Sequence, residues 1–199
     1  MGPFAETPYL IALPDPFNSL FSEDVWTFIK RKAESLSTIP GYVTRSLLTS
    51  TAFVAGMQST LNYESQQIPL NLFTMFVGPP TTGKSQAVKE CATSPMSAVA
   101  RETNTSNVVI NKCTSSGLEK TVAQNGKGYL LSAEIYDVLF KLLKSDEENA
   151  SGDVQILCQL FSGEQISYRY ATESTRDIPE NTTFSILGST QGLRSRRLL

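Results

Sequence analysis

Apolar positions recur at a helical period through the first part of the chain, then contract into short apolar runs separated by helical stretches. Ser22 is a good N-cap residue, and Glu23 and Asp24 in the first turn would face the positive end of a helix dipole. Val25, Phe28, Ile29, Ala33 and Leu36 then fall at helical spacing on one face. Pro40 suits the first position of a second helix. Val43, Leu47, Leu48, Thr51, Val54 and Ala55 continue that helix towards Gly56. The pattern predicts a Pro-punctuated extended lead-in over 1–21 and a helical segment over 22–68. That segment is an α-helical hairpin (22–60) and a polar connector, Asn62–Leu70.

Beyond it the period changes. Leu72–Val77 is a short apolar run that ends in Gly-Pro-Pro and reads as a buried strand. Ser85–Cys91 reads as helix, Asn107–Ile110 as strand, and Ser115–Gln124 as helix with a C-cap signal at Asn125-Gly126. Tyr129–Ser132 reads as strand and Glu134–Lys144 as helix. Ser145–Asp153 reads as a polar loop, Val154–Phe161 as helix, and Gln165–Tyr170 and Thr183–Ser189 as strands. Strand–helix alternation of this kind predicts an α/β core over 69–199, with a parallel sheet covered by helices on both faces.

Composition narrows the chemistry. The 199 residues include no histidine, which excludes His-based triads, His metal sites and His acid–base catalysis. The net charge of −2 offers no bulk basic field for nucleic acid. Cys91, Cys113 and Cys158 lie far apart in sequence, which is neither a zinc pattern nor a disulfide framework and suggests a reducing compartment. Met1–Pro14 lacks a basic n-region, so no secretory signal is read. The sequons at Asn104, Asn149 and Asn181 then count as chance occurrences. No apolar run approaches the ~20 residues of a membrane span. The expected setting is intracellular, in cytoplasm or nucleus, without membrane contact.

One segment carries chemistry. Gly78-Pro79-Pro80-Thr81-Thr82-Gly83-Lys84-Ser85 fits G-x-x-x-x-G-K-[ST] without mismatch, after a strand and before a helix. Glycines at 78 and 83 are expected to allow backbone angles barred to other residues and to bring loop amides close to phosphate oxygens. The following helix points its unpaired N–H groups at the anion. Lys84 is expected to reach the β- and γ-phosphates of a nucleotide, and the Ser85 hydroxyl to ligate Mg²⁺. A chance glycine-rich turn is the bland alternative.

Such a site needs an acid at a neighbouring strand tip. Tyr129-Leu130-Leu131-Ser132-Ala133-Glu134 supplies one, with Ala133 where a second acid usually stands. Glu134 is read either as general base or as the metal-handling carboxylate, or else as a first-turn acid favoured by a helix dipole. The run Phe184–Gln191 ends in polar residues, and Gln191 or Thr190 is a candidate to orient an attacking water. Asn111-Lys112-Cys113-Thr114 partly matches the guanine motif N-K-x-D, but Thr114 stands where the base-pairing Asp belongs; Thr114–Ser116 reads better as a helix N-cap. Arg169 and Arg176 are either phosphate or interface contacts or solvated side chains. Arg194, Arg196 and Arg197 form a small basic tail.

Taken together, these segments make the chain resemble domain-of-unknown-function family 3987, proteins with this loop from phages, plasmids and other mobile elements, often beside primase or helicase modules. The resemblance runs from Ile11 to Gln191. It rests on the helical lead-in Val25–Gly56, on Pro69–Phe73 running into Val77–Ser85, on Thr114–Leu118 and Leu130–Glu134, and on Leu160–Gly163, Arg169 and Ile186–Gln191. It implies a P-loop NTPase core, RecA/helicase-like, behind an N-terminal α-helical segment, with ATP and Mg²⁺ as cofactors. It implies Gly78, Gly83, Lys84 and Ser85 for nucleotide and metal, and Glu134 as the catalytic acid. It further implies work on DNA or RNA, assembly as a homo-oligomeric ring, and relatives that continue past Leu199, so that the chain is expected to be C-terminally truncated. Two rival functions stand beside the ATPase: a nucleotide-binding remnant without turnover, and a P-loop kinase of a small metabolite.

Overall fold

The computed structural model describes residues 19–103, 108–143, 150–169 and 175–191. Most of the lead-in, the sequons at Asn104 and Asn149, Lys144, Tyr170 and the three arginines of the tail lie outside the described residues.

Helix α1 (Glu23–Ser35) starts behind Ser22, whose carbonyl accepts from the Trp26 amide at 2.9 Å, while its side chain makes no capping bond. The buried stripe is Trp26, Ile29 and Ala33, so Val25 and Phe28 face outward, against the expected face. Helix α2 (Pro40–Gly56) begins at Pro40, whose missing N–H costs nothing there. Its buried face is also shifted. It carries Tyr42, Val43 and Phe53 together with the hydroxyls of Thr44, Ser46, Thr49 and Ser50, while Leu48 is exposed. Two of these hydroxyls reach the sheet: Thr49 to the Thr74 hydroxyl at 2.8 Å and Ser50 to the Tyr129 hydroxyl at 3.0 Å.

The stretch expected as a plain connector holds a short exposed hairpin, β1 (Leu61–Tyr63) with β2 (Gln66–Ile68), antiparallel. Strand β3 (Phe73–Gly78) leads into α3 (Lys84–Val88), a π-helical turn (Lys89–Thr93) and α4 (Ser94–Thr103). The helix thus runs well past Cys91. Pro95 cannot donate to the carbonyl four residues back and its ring crowds it, which accounts for the widened turn just before it. Strand β4 (Val109–Ile110) and α5 (Ser115–Asn125) follow; Thr114 caps α5 by accepting from the Gly117 amide at 3.2 Å, and Gly126 closes it with φ 63°. Next come β5 (Lys127–Ser132), α6 (Tyr136–Leu143) and α7 (Ala150–Ser162), which begins inside the stretch expected as loop. A second antiparallel hairpin, β6 (Ile166–Arg169) with β7 (Thr175–Ile178), replaces the single strand expected there. Strand β8 (Thr183–Gln191) comes last.

The fold is α/β. Four strands make one parallel sheet in the order β3–β8–β5–β4, so the last strand among the described residues lies inside the sheet. Its first eight residues are buried, as a strand covered on both faces requires. On one face Tyr42, Phe53, Phe76, Ala87, Tyr129 and Leu187 pack together. On the other, Leu118, Leu130, Ile135, Leu160 and Phe184 do. Trp26, Ile29, Ala33, Val43 and Cys91 join α1 to α2 and to the π-helical turn. Asn71 ties the sheet to α7: its amide donates to the carbonyls of Leu160 (2.8 Å) and Thr182 (3.2 Å), and its oxygen accepts from the Phe184 amide at 2.9 Å.

Candidate functional site

Parallel strands bring their C-terminal tips to one end of the sheet, where α/β proteins bind ligands. Here the register sets Gly78 of β3 opposite Gln191 of β8, and Ser132 of β5 opposite Gly188 of β8. Three chain segments far apart in sequence thus converge beside the Gly78–Ser85 loop.

The loop's geometry follows from its residues. Gly83 takes φ 73° as N-cap of α3, and its carbonyl accepts from the Ala87 amide at 2.9 Å. Thr81 also takes a positive φ, 65°. Gly78 does not adopt the left-handed conformation, so its expected backbone role is corrected. Its lack of a side chain serves close approach instead: a Cβ there would lie 2.5 Å from the Tyr42 hydroxyl. A Cβ on Gly83 would meet Thr38 Cβ at 2.6 Å and the Ser37 carbonyl at 2.9 Å. Thr82 bonds back to the Pro79 carbonyl at 3.0 Å and Thr81 to the Pro80 carbonyl at 2.6 Å.

Lys84 is buried, 7% exposed. Its Nζ donates to the carbonyls of Gly78 (3.0 Å) and Pro79 and to the Thr82 hydroxyl (3.2 Å). Burial holds its pKa below the usual lysine value, and the charge of Glu134 works in the opposite direction. Glu134 stands two residues ahead of α6, outside the helix expected to begin with it. Its position is set by the backbone: Ser189 donates its hydroxyl to the Ala133 carbonyl, the Ile135 amide donates to the Ser189 carbonyl at 2.9 Å, and Ser132 donates to the Glu134 carbonyl at 3.1 Å. Gly188 lets this tip lie on β8, since a Cβ there would strike Ile135 and the Ser132 carbonyl.

Lys84, Ser85, Glu134, Thr190 and Gln191 all line one cleft of about 480 Å³, together with Pro80, Thr81, Thr82 and Gly83. Gly78 and Pro79 do not line it; their carbonyls accept from the Lys84 ammonium. Glu134 Oε1 and Thr190 Oγ1 are buried and have no hydrogen-bond partner among the described residues. Such atoms cost free energy unless something satisfies them. A hard divalent cation fits this donor set. Mg²⁺ takes oxygen ligands and is commonly held by one or two carboxylates plus substrate phosphates, and the cleft offers the Ser85 hydroxyl and the orphaned Glu134 oxygen. Among the described residues no cluster of three or more His, Cys, Asp or Glu stands ready to hold a metal by protein alone.

Other sequence candidates lie elsewhere. Arg169 pairs with Asp177 at 2.9 Å on the β6–β7 hairpin, and Arg176 binds Glu119 at 3.0 Å and the Ser116 carbonyl at 2.7 Å. Neither arginine lines the cleft. Lys112 and Asn111 border a neighbouring depression behind Ser85 and Gln86. Sequence reasoning missed Leu36 and Ser37 of the α1–α2 elbow, which also line the cleft, and Ser189, which fastens the Glu134 tip. No helix among the described residues is long and apolar enough to cross a membrane. No protein-family model matches the chain, and neither a curated protein nor a solved structure does.

Proposed function

We propose that the chain is a P-loop NTPase core of RecA/helicase-like type that binds ATP with Mg²⁺ and hydrolyses it, as the ATPase module of a mobile-element replication protein related to family 3987. The observation that carries the reading is the buried, partnerless Glu134 carboxylate oxygen in one cleft with Lys84, Ser85 and the Thr81–Gly83 turn. On this reading Lys84 exchanges its loop carbonyls for the β- and γ-phosphates. The loop amides and the α3 N-terminus bind phosphate oxygens. Ser85 and Glu134 would hold Mg²⁺, which neutralises developing charge on the phosphoryl oxygens. In the other arrangement Ser85 alone would hold the metal, Glu134 accepts a proton from water, and Thr190 and Gln191 at the β8 tip orient that water. Catalysis is then mainly positioning and charge stabilisation. Energy from hydrolysis would drive work on DNA or RNA, in a homo-oligomeric ring that supplies an arginine in trans.

The test is Mg²⁺-dependent phosphate release from ATP, with and without single-stranded DNA. Wild type is expected to turn over and to be stimulated by DNA. Lys84→Ala is expected to lose binding. Glu134→Gln is expected to bind ATP yet lose about 10²-fold or more in rate, the usual weight of a general base. One observation favours a second reading: Glu134 is the single carboxylate lining the cleft among the described residues. ATP binding that depends on Lys84, with no release by wild type, would identify a nucleotide-binding module without turnover. The placement of Arg169 and Arg176 outside the cleft argues against a small-molecule kinase that uses them as lid arginines.

A further inference from the structure

We infer that the α1–α2 elbow is a third wall of the nucleotide cleft and that Thr38 is a positioning residue for the phosphate-binding loop. This deepens the nucleotide reading above and rests on it.

The elbow is rigid by construction. α1 ends in a paired bond pattern: the Thr38 amide donates to the Ala33 carbonyl at 3.0 Å and the Ser37 amide to the Glu34 carbonyl at 3.1 Å. Ser37 between them takes φ 49°, the left-handed turn that usually falls to glycine in this helix-end motif. Pro40 then fixes the start of α2 two residues after Thr38. The elbow therefore has little freedom, and it aims the Thr38 hydroxyl at the loop, where it donates to the Thr82 carbonyl at 2.9 Å.

Three contacts press the helical hairpin onto the loop. Thr38 holds the Thr82 carbonyl. Thr38 and the Ser37 carbonyl occupy the space beside Gly83 that any side chain would need. Tyr42, one turn into α2, does the same beside Gly78. Both glycines of the motif are thus matched to this hairpin. Thr82 and Gly83 immediately precede Lys84, so a peptide plane fixed by Thr38 fixes the direction of the amides that meet an anion. Leu36 and Ser37 continue the same surface into the cleft itself.

The test uses wild type, Thr38→Val, Thr38→Ser and Lys84→Ala, with two readouts. The first is hydrogen exchange of the 81–86 loop amides without nucleotide. The second is affinity for Mg²⁺·ATP by calorimetry. Thr38→Val keeps the shape and removes the donor; it is expected to speed loop exchange and weaken ATP about fivefold, the weight of one neutral hydrogen bond. Thr38→Ser is expected to stay within about twofold of wild type, because it keeps the donor. In wild type, Mg²⁺·ATP is expected to slow exchange at 36–38. Loop exchange in Thr38→Val equal to wild type would overturn the positioning role. Unchanged exchange at the elbow on ATP binding would overturn its place as a wall, and this arm stands even if Thr38→Val fails to fold. If Lys84→Ala binds ATP as wild type does, or wild type binds none, the nucleotide reading itself falls, whatever the loop exchange shows.

Discussion

Gly78 and Gly83 look equivalent in the motif, yet they are glycine for different reasons. Gly83 needs its left-handed backbone and also lies against the Ser37 carbonyl, which cannot swing aside. Gly78 conflicts only with the hydroxyl tip of Tyr42, whose ring lies tilted against Phe76 with centroids 4.9 Å apart. Gly78→Ala is therefore expected to cost about 1–3 kcal/mol as an overpacking change, and Tyr42→Phe to recover most of it. Gly83→Ala is expected to cost more, since about 1–2 kcal/mol of left-handed strain adds to the clash, and Tyr42→Phe to recover none of it. Urea unfolding of the four variants decides this. Lys84 allows a prediction in pH. Its pKa is held below the ordinary lysine value of 10.5 by burial. Between the lowered value and 10.5 the unfolded chain binds more protons than the native one, so stability rises with pH across that window. ATP affinity moves the opposite way, because the bound lysine must be charged. Titrations by calorimetry are expected to show affinity falling at a pH below 10.5 in wild type but not in Lys84→Arg, whose guanidinium stays charged.

At the scale of elements, the sequence announced those whose signals are local. The strand–loop–helix at 73–88, the Thr114 cap and the Gly126 stop of α5, and the apolar runs of β5 and β8 all carry their own chemistry. What stayed hidden was set by partners. Thr49 and Ser50 sit on the buried face of α2 because Thr74 and Tyr129 answer them from the sheet, and no hydropathy pattern shows that; the buried Thr44 and Ser46 hydroxyls have no partner among the described residues. The elbow was illegible because Ser37 stands where glycine would have flagged the helix end. The β1–β2 hairpin has every residue exposed, so it has no alternation to read. Asn71, between the polar connector and the Leu72–Val77 run, showed nothing of its structural role in the sequence. Its side chain is buried and joins α7, the Thr182 carbonyl and the Phe184 amide. Asn71→Ala would leave several buried backbone groups unpaired at about 1–3 kcal/mol each. A loss near 3 kcal/mol in chemical denaturation is expected; a loss below about 1 kcal/mol would mean that water replaces the side chain without penalty.

At the scale of the molecule, strand order decides the site, and strand order is not written in any one segment. The candidate water-orienting tip of β8 reaches the loop because β8 inserts between β3 and β5 rather than adding at an edge. The same order leaves β3 paired on one side only among the described residues. Its burial alternates: Phe76 faces the α2 side, while Phe73, Met75 and Val77 face the α7 side and stay exposed. Phe73 and Met75, with Val154 and Phe161 of α7, line an apolar groove of about 510 Å³. An uncovered strand edge beside an apolar face is a template for association. Met75 is the residue to change. Phe73 is held by rings of Phe161 and Phe184 at 5.0 and 5.7 Å, and Val77 adjoins the loop, whereas Met75 is 38% exposed and makes no such contact. Met75→Lys is expected to alter stability by no more than about 0.5 kcal/mol, as an exposed substitution does. It is also expected to suppress concentration-dependent association in light scattering, because a buried ammonium is costly at any interface formed there. Association that persists unchanged in Met75→Lys would place the adhesive surface elsewhere and leave the β3 edge adequately guarded by its own twist and side chains.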